Sequence, residues 1–593
     1  MAVTRLMPEP IVDVVLVGFG WTGAIMAEAL TAAGLNVLAF ERGGWRNTPN
    51  DFALPFDQDE LRYFWRHHLF QNVAHTTLTF RNKPDQLALP MRRLGSFLPG
   101  AGVGGGGVHW NGQVWRFLPS DFAARSHNLQ RYGANAVNAD DMTIQDYPVT
   151  YAELEPYYDK FEYLCGVSGK AGNLNGKVEP GGNPFEGARS REYPNPPLQM
   201  TYGPTLFALA AESLGYHPFP HPAANMSRAY TNPLGVQLAQ CTYCGFCEKF
   251  GCGNDSKSSP QTTILPVLMS RPNFTLRTYC EVLKVELTRD RRHATGVSYV
   301  DENGALGFQP ASIVILSAFM LENVRQLLIS GIGVPYDPRT GKGTVGKNYS
   351  YQIVSSVNVF YDDKITNPFI GAGALGMIID DFNGDNFDHT GLGFIGGGYL
   401  GALNTGARPI ETHPVPDKTP KWGAGFKRAI AANYLKTVPI ITHGAVMSHR
   451  TNYLDLDPTW RDTLGRPLMR MTFDFTDNEH RMSDFLTDKA AAIGRSMGGR
   501  EVKETKRSGA YDISPYQTTH TTGGAIMGSD PKSSALNRYL QSWDVPNVFV
   551  PGANAFPQNA GYNPMGTVAA LSYHCADAIV KQYVKAPGPL VQA

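Results

Sequence analysis

Four of the seven cysteines fall within twelve residues, Cys241-Thr-Tyr-Cys244-Gly-Phe-Cys247-Glu-Lys-Phe-Gly-Cys252. Reduced thiols at this density bind metal or oxidise readily. The Cys-x2-Cys-x2-Cys run has the spacing of ferredoxin cluster loops, whose fourth ligand follows after three residues or comes from elsewhere. Here Cys252 follows after four. A structural zinc site would also accept four thiolates, but usually as two well-separated pairs. Iron–sulfur chemistry is therefore expected. A cluster moves electrons singly, which suits an enzyme that delivers them to another protein and is of no use to one that delivers them to dioxygen. Cys165, Cys280 and Cys575 are isolated, so the chain lacks the evenly spread cysteines of a disulfide framework.

A second chemical signal lies at the amino end. Ile11 to Val17 are aliphatic apart from Asp13, as in a buried parallel strand. Gly18-Phe-Gly20-Trp-Thr-Gly23 then opens a helix running through Ala24 to Ala33, and Leu35 to Phe40 form a second strand ending on Glu41. In such a βαβ unit the first glycine permits the tight turn and the second lets the backbone approach a pyrophosphate. The third allows close helix–strand packing. Glu41 lies 23 residues after Gly18, placed to accept hydrogen bonds from ribose hydroxyls, and Arg42-Gly43 beside it suits FAD better than NAD.

The third signal is Gly100-Ala-Gly102-Val-Gly104-Gly105-Gly106-Gly107-Val-His109-Trp110-Asn111, whose glycines leave backbone amides bare against a ligand. Together with the βαβ unit, this stretch resembles the glucose-methanol-choline (GMC) oxidoreductases. The resemblance implies an FAD enzyme in which Gly102, Gly104, Gly105 and Asn111 line the flavin and His109 is the residue that can be bonded covalently to it. The other reading of His109 is a histidine hydrogen-bonded within a buried loop.

Near the other end, His520-Thr-Thr-Gly523-Gly524-Ala-Ile-Met527-Gly528 resembles a family segment that has a threonine where Gly524 stands. A strand from Asn547 closes on Pro551-Gly552-Ala553 and leads to Gly561-Tyr562-Asn563-Pro564-Met565-Gly566 and a helix through Ile579. Pro564 suits a first helical position, where its missing N–H would be unpaired anyway. The amides after it, from Met565 on, would point at the flavin edge where negative charge develops. By resemblance, His520 and Asn563 face the flavin and Gly552, Ala553 and Ala318 contact it. Oxidising an alcohol by hydride transfer requires loss of the hydroxyl proton, and a neutral imidazole is a suitable acceptor, so His520 is the expected general base. Asn563 cannot titrate and would orient the substrate oxygen.

The family's cytochrome-linked branch carries a cysteine-rich loop holding a [3Fe–4S] cluster. The six-residue step from Cys241 to Cys247 resembles that spacing, which implies Cys241, Cys247 and Cys252 as ligands. Cys244 would be spare, or the fourth ligand of a [4Fe–4S] cluster. The same resemblance implies an alcohol dehydrogenase with a cytochrome- or quinone-linked acceptor, working on a sugar acid or polyol. Gluconate and 2-ketogluconate rank first, with fructose and sorbitol open and a hydrogen-peroxide-forming oxidase the alternative. Implied partners are a small subunit carrying an export signal and a multi-haem cytochrome c, on the periplasmic face of a bacterial inner membrane.

The elements that must position these residues follow from pattern. A chain of 593 residues is too long for one core. The fold class expected is α/β, a Rossmann-like FAD-binding domain from 1–125, 255–350 and 535–593 plus a substrate domain from 126–254 and 351–534. The iron–sulfur loop, 238–256, belongs to the latter. Thr150-x-x-Glu153 is a capping box that starts a helix through Cys165, and Gly166 to Pro197 read as a long surface loop. Gln352 to Arg507 read as an antiparallel sheet over the active site. Lysine plus arginine equals aspartate plus glutamate at 52 each, without the basic footprint of a nucleic-acid binder. Met1 to Pro10 carry no leader pattern and no apolar run spans a membrane, so membrane contact would come through partners.

Overall fold

The computed structural model describes residues 9–48, 51–52 and 69–592; Met1 to Pro8 of the amino-terminal stretch lie outside them. Strand β1 (Val12–Val17), helix α1 (Trp21–Ala32) and strand β2 (Val37–Phe40) form the expected βαβ unit. The helix begins in the glycine turn itself, so Trp21, Thr22 and Gly23 are already helical. Strand β3 (Leu306–Leu316) pairs parallel with β1 through its second half, Val12 against Ala311 and Val17 against Leu316. Its first half pairs antiparallel with Ala294–Val300. The sheet runs Phe274–Arg277, β2, β1, β3, Ala294–Val300, Glu281–Leu287, with Val548–Phe549 also on β3. Val14, Val15, Leu16, Val314 and Ile315 have no exposed surface, as the aliphatic runs of a sheet covered on both faces require.

Helix α2 (Tyr151–Cys165) starts at the predicted capping box, where Thr150 and Glu153 exchange hydrogen bonds, and stops at Gly166 with φ 62°. The tract that follows is less of a surface loop than its composition suggests. It holds a small hairpin, Asn173–Leu174 with Lys177–Val178, and buries Arg189 against Glu162 of α2.

The second large sheet is antiparallel throughout: Glu501–Thr505, β4 (Gln352–Phe360), β5 (Thr437–Ala445), Gly398–Thr405, Gly371–Ile379, Phe219–Pro220. The expectation of strands from Gln352 to Arg507 needs correction in one respect. Helix α3 (Asp477–Ser496) lies within it and covers one face of the sheet. Its buried Met482, Leu486, Ala490 and Ile493 recur at helical spacing, and each larger one contributes about 1.5–3 kcal/mol. A Thr476–Glu479 capping box marks its start. A shorter helix, Gly423–Asn433, also interrupts the strands.

Strand alternation then determines what faces the other way. Ser355 bonds Thr487 of α3 at 2.6 Å and Thr442 at 2.7 Å, so Gln352 of β4 and His443 of β5, an odd number of residues away, project from the opposite face. A third sheet, Tyr453–Arg461, Pro467–Thr472, Leu78–Arg81, Leu89–Pro90, joins segments nearly four hundred residues apart. The carboxy-terminal helix α4 (Met565–Ala578) packs against both α1 and α2. Among the described residues no helix is long and apolar enough to cross a membrane.

Candidate active site

A cavity of about 390 Å³ runs from the β1–α1 turn to His520 and Asn563. At the first end, Gly18 has φ 94°, and a Cβ there would lie 2.6 Å from the Ala318 backbone, so only glycine fits. The N-cap of α1 is Gly20, with no side chain to satisfy the first amides of the helix. The Trp21 indole N–H is buried on the cavity wall without a protein partner among the described residues. Open helix amides beside a buried donor suit an anionic diphosphate. Gly23 does not reach the cavity; it lies against the Gly18 carbonyl and lets α1 approach β1.

Glu41 is engaged more fully than a ribose-binding acid alone. Its carboxylate accepts backbone N–H groups from Phe19 at 3.1 Å, Gly43 at 2.8 Å and Gly102 at 3.2 Å. It thus ties the glycine turn to the Gly100–Asn111 loop, and burial raises its pKa despite those donors. A carboxylate has about four acceptor sites, so capacity remains for a ligand hydroxyl. Gly105, His109, Asn111, Ala318, Gly552, Ala553, Pro564 and Met565 line the cavity, whereas Gly102 and Gly104 support the loop from behind. Gly104 donates to the Phe19 carbonyl at 2.7 Å. His109 has its Nε2 3.0 Å from the Leu98 carbonyl oxygen, which requires the proton on Nε2 and the lone pair on Nδ1. Pro564 is the N-cap of α4, one position earlier than expected, and the helix ends at Ala578 in a π turn, Ile579–Tyr583.

At the far end, Asn563 and His520 are hydrogen-bonded, Asn563 Nδ2 donating to His520 Nε2 at 2.9 Å. The tautomer is set from behind. Gln352 Nε2 donates to the Ala560 and Tyr562 carbonyls, both at 2.7 Å, so its Oε1 must accept. It accepts from His520 Nδ1 at 2.6 Å and from His443 Nδ1 at 3.1 Å. His520 therefore carries its proton on Nδ1 and offers a lone pair on Nε2. Burial, and secondarily His443, hold His520 well below the ordinary imidazole range; burial takes His443 to about 3. Both rings are neutral near pH 7. The Tyr399 hydroxyl lies 3.1 Å from both Asn563 Oδ1 and Gln113 Oε1, and its ring stacks on His443 at 5.0 Å and 7°.

The cysteine loop meets the cavity from the side. Lys249 donates its N–H to the His109 carbonyl at 2.8 Å. Lys257 has no exposed surface and donates from Nζ to the carbonyls of Trp110, Cys247 and Phe250 at 2.6–2.8 Å. It clamps the loop to the segment that bears His109. All seven cysteines are free thiols. Cys241 and Cys247 are buried together, whereas Cys244 packs on Phe246 and Phe250. Cys252 contacts Asn254 and Ser256. The donor set suits iron and sulfide, since Tyr243 N–H points at Cys241 Sγ, 3.4 Å away, and Asn225 Nδ2 at Cys247 Sγ, 3.6 Å away. Burial raises the Cys241 thiol to about 12, so binding iron would displace its proton. Among the described residues, no three histidine, cysteine, aspartate or glutamate side chains are gathered closely enough to hold a single metal ion.

Gln352, His443, Tyr399, Gln113, Lys249 and Lys257 were not legible as site residues. Lys249 lies inside the cysteine run but is not one of its thiols, the others sit in no motif, and Gln352 lies 168 residues from His520 and 91 from His443.

Family models described as GMC oxidoreductase match residues 221–354 and 448–572. The chain is 50% identical over 588 residues to a gluconate 2-dehydrogenase flavoprotein of Pantoea cypripedii, spanning 98% of this chain and 95% of that one. It is 25% identical to the fructose dehydrogenase large subunit of Gluconobacter japonicus, covering 96% and 97% of the two chains. A crystal structure of pyridoxine 4-oxidase from Mesorbium loti matches with a TM-score of 0.57 and 15% identity over 97% of this chain and 100% of that one, a likeness of fold. The chain belongs to the GMC oxidoreductase family and is an FAD-dependent alcohol oxidoreductase.

Proposed function

We propose that this chain is the flavoprotein subunit of a sugar-acid dehydrogenase that oxidises a hydroxyl of gluconate or 2-ketogluconate and delivers the electrons to a cytochrome c partner through an iron–sulfur cluster on the cysteine loop. The substrate reading is supported by likeness to the Pantoea flavoprotein along nearly its whole length. The observation that carries the acceptor reading is the clamp between cysteine loop and flavin loop, Lys257 Nζ to Trp110 O and Lys249 N–H to His109 O. It joins four thiols to the flavin-binding segment in one hydrogen-bonded unit.

When bound, the flavin supplies the hydride acceptor. The chain's own residues handle the rest. His520 Nε2 takes the hydroxyl proton as the substrate carbon gives up its C–H hydrogen with two electrons, leaving a carbonyl. Gln352 keeps that nitrogen deprotonated and aimed, and Asn563, steadied by Tyr399, holds the substrate oxygen in the geometry for transfer. His109 is the residue that would hold the flavin covalently. Cys241, Cys247 and Cys252 are the proposed ligands of a [3Fe–4S] cluster, with Cys244 the fourth ligand should the cluster be [4Fe–4S]. A cluster supplies one-electron transfer between flavin and haem. A small subunit with an export signal, a multi-haem cytochrome c and a periplasmic site complete the reading; the description of the Gluconobacter relative as a large subunit supports partner subunits in general.

The test is substrate-dependent reduction of an artificial one-electron acceptor against oxygen consumption, with gluconate, 2-ketogluconate, sorbitol and fructose. Rapid dye reduction by a sugar acid with little peroxide is expected. Stoichiometric peroxide and no dye reduction would make the enzyme an oxidase and remove the electron-relay reading. Iron and sulfide analysis with EPR of the oxidised protein tests the cluster separately.

A further inference from the structure

A hexonate carries a carboxylate, and its recognition needs a cation at the reacting end of the cavity. Three cationic side chains line the cavity among the described residues: Arg42, Lys249 and Arg325. Arg325 bonds Asp462 at 2.7 Å and lies 3.4 Å from Glu322. Arg42 follows Glu41 at the nucleotide end and donates to Gln71 at 2.9 Å. Lys249 is different. Its Nζ stands over the Tyr516 ring, 4.3 Å from the centroid, and makes no hydrogen bond among the described residues. Glu248, also on the cavity wall, pairs with it loosely, its Oε1 3.9 Å away and too far for a hydrogen bond.

The location of Lys249 is what gives that ammonium a function. Tyr516 begins the segment that reaches His520 through Thr518, whose Oγ1 touches His520 Nδ1 at 2.5 Å. Lys249 is held to the His109 carbonyl by its own N–H and has φ 67°, a left-handed conformation uncommon in a residue with a Cβ. Its side chain is 24% exposed, at the cavity wall and not free in solvent.

We infer that Lys249 is the specificity-determining residue that binds the substrate carboxylate, so that the loop bearing the cysteines also selects an acid over a neutral polyol. The inference rests on the sugar-acid reading. A single charge-assisted pair at a partly covered site predicts about a 10- to 100-fold change in affinity on losing the ammonium.

Wild-type, Lys249→Met and Lys249→Arg holoenzymes are compared by anaerobic flavin bleaching with gluconate. Lys249→Met is expected to weaken apparent gluconate binding about 10- to 100-fold while leaving the limiting bleaching rate within about threefold, and Lys249→Arg to restore binding. Wild-type affinity in Lys249→Met overturns the inference. Equal losses in the Met and Arg variants also overturn it, since loop geometry and not charge would then be responsible. Either result leaves the sugar-acid reading standing. If sorbitol or fructose bleaches the wild-type flavin and no sugar acid does, that reading fails and takes this inference with it.

Discussion

Replacing His520 by glutamine removes the proposed proton acceptor while keeping a polar side chain of similar reach. In the wild-type geometry the Nε2 lone pair receives the Asn563 amide, 2.9 Å away, and Nδ1 meets Gln352 Oε1 at 2.6 Å and Thr518 Oγ1 at 2.5 Å. A general base in this position is worth about 10²- to 10⁴-fold, or about 2.7–5.4 kcal/mol at about 1.36 kcal/mol per decade. Substrate binding loses at most one neutral hydrogen bond of about 0.5–1.5 kcal/mol, about 2- to 13-fold in Kd. Anaerobic stopped-flow measurement of flavin bleaching separates the two. The limiting rate of His520→Gln should fall by two to four decades with Kd little changed, and the residual rate should rise about tenfold per pH unit as solution supplies the missing base. A limiting rate within about threefold of wild type would refute the assignment of His520 as base. So would a loss carried wholly by Kd.

Three further outcomes follow from the same contacts. Burial lowers the His520 pKa, and the neutral ring is the active form; as pH falls through the ordinary imidazole value the base stays unprotonated. Wild-type kcat/KM should therefore stay flat to below about pH 6.5, and an acid limb at or above that value contradicts the buried-base geometry. Gln352→Leu strips partners from the His443 Nδ1 proton and from the Ala560 and Tyr562 carbonyls. Each buried group left unpaired costs about 1–3 kcal/mol, so calorimetry should find a clearly lowered unfolding temperature together with slower flavin bleaching. Lys257→Met removes three hydrogen bonds to the carbonyls of Trp110, Cys247 and Phe250. Amide exchange across residues 247–252 should accelerate and, on the proposed cluster, iron per flavin should fall; unchanged exchange would mean that the clamp does not hold the loop.

The parts of this protein readable from sequence are those whose cause is local. The β1–α1–β2 unit and the Thr150–Glu153 cap depend on residues within a few turns of one another, and both form where their signals lie. Helix α3 escaped because short apolar runs in a strand-rich region mask helical spacing, although its Thr476–Glu479 cap was available to find it. Glu41 illustrates a partial reading. Its place at the end of β2 follows from pattern, but its hold on Gly102 joins segments 61 residues apart and depends on the loop folding back.

The proposed catalytic pair divides the same way. His520 and Asn563 could be singled out by type and motif, because flanking glycines and a helix start mark backbone that must approach a ligand. Nothing in their spacing could say which imidazole nitrogen bears the proton. That depends on Gln352, whose amide is oriented by two carbonyls near the carboxy terminus and whose direction is set by strand alternation against α3. The cysteines likewise point to metal chemistry by density alone. Only the tertiary structure brings their loop to the His109 segment and turns Lys249 toward the cavity, because such contacts are selected by the packing of whole elements and not by any local preference of the chain.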